Sequence, residues 1–369
     1  MTAPATVRTA AAPPASDGAI ANLFPGSFAL VMATGIVSIA AEQRGYHGLA
    51  VALLWANVAA YVILWGLTLI RLIRFPRRLL ADLTSHKRGA AFLTIVAGTE
   101  VLGSQFSLLT TRTSVAVALW WVGVALWTFL LYAFLTAVTF SDSKPSLGEG
   151  IGGVWLLLVV STESIAVLGA SIAPHIDTVV VLFSLLAHLI GAMLYIVVIG
   201  LIFYRWTFFA MDPDQATPPY WINMGALAIT TLAGSNLLLA APQWLLLEEL
   251  APFLKGMTLL FWAFATWWVP LLVIMGVWRH VVMRVPLRYD PQFWALVFPL
   301  GMYSVATTKM IAAVVLPFGG WIPAAVFWLA LGAWSLTAIG MAAAALRRTA
   351  CSIRRGGLVA DEEDAPVDV

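Results

Sequence analysis

Ten apolar stretches, each about 18 to 30 residues long and parted by short polar connections, constrain this 369-residue chain more than any other feature. They fall at about 24–41, 49–73, 89–110, 114–138, 151–171, 178–204, 219–241, 253–282, 292–316 and 321–346. A helix that crosses the hydrocarbon core needs roughly 20 apolar residues, and in lipid each backbone N–H and C=O must find its partner within the protein. Barrel strands would alternate apolar and polar positions, whereas these runs are continuous. The sequence therefore predicts an all-α polytopic membrane protein with ten transmembrane helices. Only 10% of residues are charged against 61% hydrophobic, which leaves no room for a large soluble catalytic domain. The 17 tryptophans suit a chain that meets the lipid headgroups many times.

The basic residues then set the orientation. With a cytoplasmic N-terminus, the inside segments hold Arg8, Arg71, Arg74, Arg77, Arg78, Lys87, Arg88, Lys144, Arg205, Arg279, Arg284, Arg288, Arg347, Arg348, Arg354 and Arg355. Only Arg44, Arg112, Lys255 and Lys309 fall outside, so 16 of the 20 Lys and Arg are internal. That bias places both termini in the cytoplasm, and an even number of spans agrees in putting them on one side; the expected location is the plasma membrane. Residues 1–23, rich in Ala, Pro and Thr, have no signal-peptide pattern and read as a disordered cytoplasmic leader. Residues 24–346 form the membrane domain and 347–369 a cytoplasmic tail that ends in an acidic, solvated stretch.

The odd spans begin at steps of roughly 62 to 73 residues, so the chain reads as five consecutive helical hairpins. Even spans are dominated by Leu, Val, Ala, Ile and Trp; odd spans collect the polar and small residues. Small residues permit close helix approach, and polar ones in a bilayer must face protein or water. The expected arrangement is therefore five inner, odd helices around a central pore, with five even helices outside them. Thr34, Thr231, Ser235 and Ser304 become candidate lining groups.

Glu100 and Glu163 each fall about 11 to 12 residues into their spans, near the bilayer middle. Intramembrane carboxyls are costly and mark either a transport path or an internal pair between helices. Lys309, about 18 residues into the ninth span, either binds anions near the outer mouth or snorkels to the headgroups. His188, on an outer span, reads as a packed or hydrogen-bonded side chain. Phosphate loops, metal-spaced histidines and the GxSxG nucleophile motif are all missing, so no enzyme and no cofactor are expected. A single cysteine, Cys351, excludes an intramolecular disulfide and a Cys-based metal cluster. Scattered loop charges give no basic face for nucleic acid, and contact with anionic lipid is a secondary role for the Arg71–Arg88 run.

Three strings add what periodicity does not: FPGSFALVMATGIVS at 24–38, YWINMGALAITTLAG at 220–234 and FWALVFPLGMYSVAT at 293–307. They resemble the first, seventh and ninth helices of the tellurite-resistance/dicarboxylate transporter family, which also includes plant slow-type anion channels, fungal malate permeases and sulfite efflux pumps. The likeness covers about residues 20–346. It implies five inner helices around a pore, assembly as a homotrimer with one pore per subunit, and a small anion as cargo. It also implies an aromatic gate on the ninth helix, for which Phe298 is the nearest match and Met302, one turn on, the alternative. The rival for Phe298 is a core aromatic beside the Pro299 kink.

Two ionised carboxylates beside an anion path would repel the cargo. That motivates proton-coupled carriage of a C4-dicarboxylate such as malate, with Glu100 and Glu163 as proton sites. The alternatives are a passive gated channel for chloride or nitrate, or efflux of sulfite or tellurite. In a blander reading the glutamates sit behind the pore wall and never meet cargo.

Overall fold

The computed structural model describes residues 15–173, 177–317 and 319–363, with side chains described from 18 to 347 within those limits. Among the described residues the chain is built of helices, with no strand. Ten helices are long and apolar enough to cross a membrane. They are α1 (Pro25–Gln43), α2 (His47–Arg74), α3 (Gly89–Leu109), α4 (Thr113–Phe140), α5 (Gly153–Ile172), α6 (Thr178–Phe208), α7 (Pro218–Gln243), α8 (Leu245–Val282), α9 (Pro291–Val314) and α10 (Trp321–Arg347). The expected count and order of spans are met.

Differences lie at the margins. Helix α8 starts before the expected 253, because Leu245–Glu249 are good helix formers and carry the helix through Pro252. The connection from α2 to α3 contains a short helix, Pro76–Leu83. Within the segment expected to be a disordered leader, Ala15–Ala21 is helical, and the Ala21 carbonyl accepts a bond from Arg71 Nε at 3.2 Å. Residues 1–14 lie outside those described. Arg71 in turn pairs with Asp82 at 2.5 Å, and Asp82 with Arg88 at 3.1 Å, so one acidic side chain ties the leader, α2 and the turn before α3. The last helix runs on as far as Glu363, into the segment expected to form the cytoplasmic tail, since Ala342–Arg348 continues it with strong helix formers.

Each odd helix opens on a tight 3₁₀ turn: Pro25–Phe28, Gly89–Leu93, Gly153–Leu156, Pro218–Trp221 and Pro291–Phe293. In three of the five, proline occupies the first turn, where its missing donor costs nothing. This recurrence is a structural repeat that the span spacing alone suggested.

The odd helices pack in a closed circuit, α1 on α3, α3 on α5, α5 on α7, α7 on α9 and α9 back on α1. Each also packs on the even helix that follows it. Between 67% and 89% of the odd windows is buried, against 17% to 50% of the even ones. The even helices turn large apolar side chains such as Ile63, Phe129, Trp267 and Ile274 outward, as a lipid-facing jacket does.

Jacket and ring are joined by a repeated polar tie. Tyr61 reaches Thr99 at 2.9 Å, Trp127 reaches Thr162 at 2.9 Å, Trp262 reaches Thr307 at 3.0 Å, and Trp334 reaches Thr34 at 3.0 Å. In each case an aromatic side chain on an even helix meets a threonine on the next odd helix, with α10 closing onto α1. An indole N–H taken out of water needs an acceptor, and here it finds one inside the bilayer.

Candidate functional site

Two cavities lie within the ring, one at each end. The larger, about 320 Å³, opens at the face where the odd helices end. Its walls come from all five odd helices. Along each helix the lining residues follow a helical stripe: Ile36, Ile39 and Gln43 on α1; Glu100, Ser104 and Ser107 on α3; Ser164, Val167 and Ser171 on α5. Asn236 and Gln243 continue the pattern on α7, and Met302 and Lys309 on α9. Asn236 Nδ2 donates to the Ser171 hydroxyl at 3.1 Å, which fixes its amide across the α5–α7 seam. Lys309 is the basic residue of this lining and Glu100 the acidic one.

The opposite cleft, at the face where the odd helices begin, is apolar and small, about 20 Å³. Phe24, Met32, Leu157, Ile222 and Phe298 are among its walls. Between the two lies a plug. On α1 the lining passes from Met32 to Ile36, and on α9 from Phe298 to Met302, four residues apart in each case. Four residues rise about 6 Å along a helix. Phe298 and Met302 are each 1% exposed, so the two side chains close the ring between the cavities.

The sequence candidates divide into two groups. Glu100, Lys309 and Met302 meet in the larger cavity, and Phe298 lines the smaller. Thr34, Glu163, Thr231, Ser235 and Ser304 line neither. Thr34 accepts from Trp334, and Ser304 donates to the Pro323 carbonyl at 2.7 Å, so both face α10. Thr231 and Ser235 donate to carbonyls one turn back on α7. A hydroxyl on a buried helix satisfies itself most cheaply this way, so composition overstates how many polar groups reach a path. Gln43, Ser107, Ser171, Asn236 and Gln243 are lining groups not singled out as candidates; the i, i+4, i+7 stripe from Glu100 or Ser164 would have pointed to several of them.

The two glutamates also part company. Glu163 is wholly buried, and its Oε2 lies 3.0 Å from His188 Nδ1 on α6, behind the ring wall. The contact ties a ring helix to a jacket helix, and it engages His188, which the sequence reads as a packed or hydrogen-bonded side chain. Glu100 is 1% exposed, and neither carboxyl oxygen has a hydrogen-bond partner. Both carboxyls rest in notches cut by a glycine on the following even helix, Gly123 for Glu100 and Gly191 for Glu163, where a Cβ would collide with the carboxyl group. No cluster of metal-ligating side chains occurs among the described residues.

A closed ring of buried helices, cavities at both ends and an apolar jacket describe a multi-pass membrane protein. Sequence comparison makes the class specific: residues 22–342 match the voltage-dependent anion channel family, and the chain belongs to it. An uncharacterised membrane protein of Mycobacterium tuberculosis is 40% identical over 166 residues, covering 44% of this chain and 81% of that protein. An uncharacterised transporter of Methanocaldococcus jannaschii is 26% identical over 334 residues, covering 87% and 92%. A sulfite efflux pump of Arthroderma benhamiae is 23% identical over 319 residues, covering 79% and 82%.

Proposed function

We propose that the protein carries a small anion across the cell membrane along the axis of its inner ring, entering the large cavity and passing the Phe298–Met302 septum. The observation that carries this reading is the large cavity itself. Hydroxyl and amide groups from four of the odd helices converge there with one lysine from the fifth, the lining an anion needs when it sheds water. On this reading both termini are cytoplasmic, as the basic-residue bias requires, and the large cavity faces outward. Assembly as a homotrimer follows from the family resemblance.

A C4-dicarboxylate such as malate fits a cavity of about 320 Å³. Glu100 supports proton coupling: an unpartnered carboxyl out of water is costly when ionised, and although its oxygens are buried in the Gly123 notch the residue borders the cavity, so a proton there changes the field in which the cargo moves. Glu163, engaged with His188, is the weaker proton site.

A second reading, a passive gated pore or an efflux path for a smaller inorganic anion, is favoured by the closed septum and by the likeness to sulfite efflux pumps. Labelled malate uptake into proteoliposomes, with and without an imposed proton gradient, separates the two. Saturable uptake that rises with the gradient supports the carrier. Uptake that ignores pH but follows an imposed potential supports the pore, and malate uptake no faster than into empty liposomes, with sulfite or chloride flux above that baseline, replaces the cargo.

A further inference from the structure

A separate cavity lies off the ring axis, on the face where the odd helices begin. Its volume is about 320 Å³, and Lys87, Gly148–Val154, Arg205, Gln215, Tyr220 and Gln292 line it. Val154 and Gln292 also line the small axial cleft, so the two spaces adjoin.

The charge in this cavity is not balanced. Arg205 is 5% exposed. It donates from Nε to the Gly148 carbonyl at 2.8 Å, from one terminal nitrogen to the Gln215 side-chain carbonyl at 2.6 Å, and from the other to the Tyr220 hydroxyl. All three acceptors are neutral. Among the described residues no carboxylate forms an ion pair with it. A guanidinium has five N–H donors, so two remain after these bonds. A buried cation without a counter-charge is costly unless an anion arrives to pair with it. Lys87 stands on the rim, exposed, and the only acidic residue of the lining, Glu149, is exposed as well.

We propose that this antechamber is a binding site for a small oxyanion, held bidentately by Arg205 and steered by Lys87. The guanidinium fork matches the two oxygens of a carboxylate or of an inorganic oxyanion. The inference rests on the anion reading above, and adds a docking point beside the inner end of the path.

Gly152 gives a test that leaves the Arg205 bonds intact. Its backbone is extended (φ −164°, ψ −177°), which any residue adopts, and a Cβ there would have the Tyr220 hydroxyl at 3.8 Å as its nearest neighbour. Gly152→Glu therefore places a tethered carboxylate beside Arg205, and Gly152→Gln a neutral group of the same size. Malate and, separately, sulfate are titrated calorimetrically into the purified full chain in nanodiscs.

Gly152→Glu is expected to weaken binding about tenfold or more relative to Gly152→Gln, because like charges then share the site. Lys87→Gln is expected to weaken it about three- to fivefold, the scale of one exposed charge. A stronger effect on malate than on sulfate identifies an organic carboxylate as the occupant, and the reverse an inorganic one. If the protein binds these anions and neither Gly152→Glu nor Lys87→Gln changes the affinity, while Lys309→Gln abolishes it, the antechamber is overturned and the axial reading stands. If the unaltered protein binds neither anion, both fall.

Discussion

Glu163 on α5 and His188 on α6 face each other at 3.0 Å in the middle of the membrane, and both side chains are fully buried. Glu163 Oε1 and His188 Nε2 have no hydrogen bond of their own, so the contact between Oε2 and Nδ1 is the main tie between this ring helix and jacket helix, with Thr230 on α7 also close to the carboxyl. Removing either member strands the other in a dry interface. His188→Ala is expected to destabilise the protein by about 3–5 kcal/mol, and replacing both residues by apolar side chains of similar volume by clearly less. Thermal unfolding in detergent, followed through a double-mutant cycle, gives the coupling; additive losses would show that the pair does not act as a unit.

The glycine notches supply a steric prediction. Gly123→Ala and Gly191→Ala each drive a methyl into a glutamate carboxyl, whereas a methyl added at Gly200, on the lipid side of α6, meets nothing within 4 Å. The first two are expected to cost about 1–3 kcal/mol, and Gly200→Ala to be neutral or slightly stabilising. Equal melting temperatures for all three would mean that the carboxyls move aside freely.

The aromatic ties between jacket and ring are separate and alike. Trp127→Phe, Trp262→Phe and Trp334→Phe each remove an indole donor and keep most of the ring's bulk. Each is expected to cost about 1 kcal/mol, with near-additive losses because the sites lie on different helix pairs. Losses concentrated in one variant would assign the others to packing alone.

At the septum, Phe298→Ala is expected to raise anion flux through proteoliposomes several-fold, and Met302→Ala to raise it less. Phenylalanine is the bulkier of the two side chains, and it walls the narrower cavity. A Phe298→Ala protein that folds and shows unchanged flux would return this ring to the role of a core aromatic beside Pro299.

Much of this was legible in the chain. Apolar run length gave ten spans, because lipid permits only segments that satisfy their own backbone. The concentration of Gly, Ser, Thr and Glu on alternate spans marked which helices are buried. Polarity did not reveal direction. Thr34, Thr231, Ser235 and Ser304 look like pore groups on composition, yet they bond to neighbouring helices or to their own backbone. Ser107, Ser171 and Asn236, no more conspicuous in sequence, line the cavity. The difference is helical phase relative to neighbours, which depends on how five helices rotate as they close a ring.

The sequence by itself determined that the chain lives in lipid as alternating buried and exposed helices, since hydrophobicity and residue size are properties of each segment alone. Only the tertiary structure decided that Glu163 meets His188 while Glu100, on the wall of the large cavity, remains unpartnered, and that Arg205 is buried without a counter-charge. Those are relations between residues far apart in the chain. They are fixed by packing and by which polar group is left without water, and no local pattern records them.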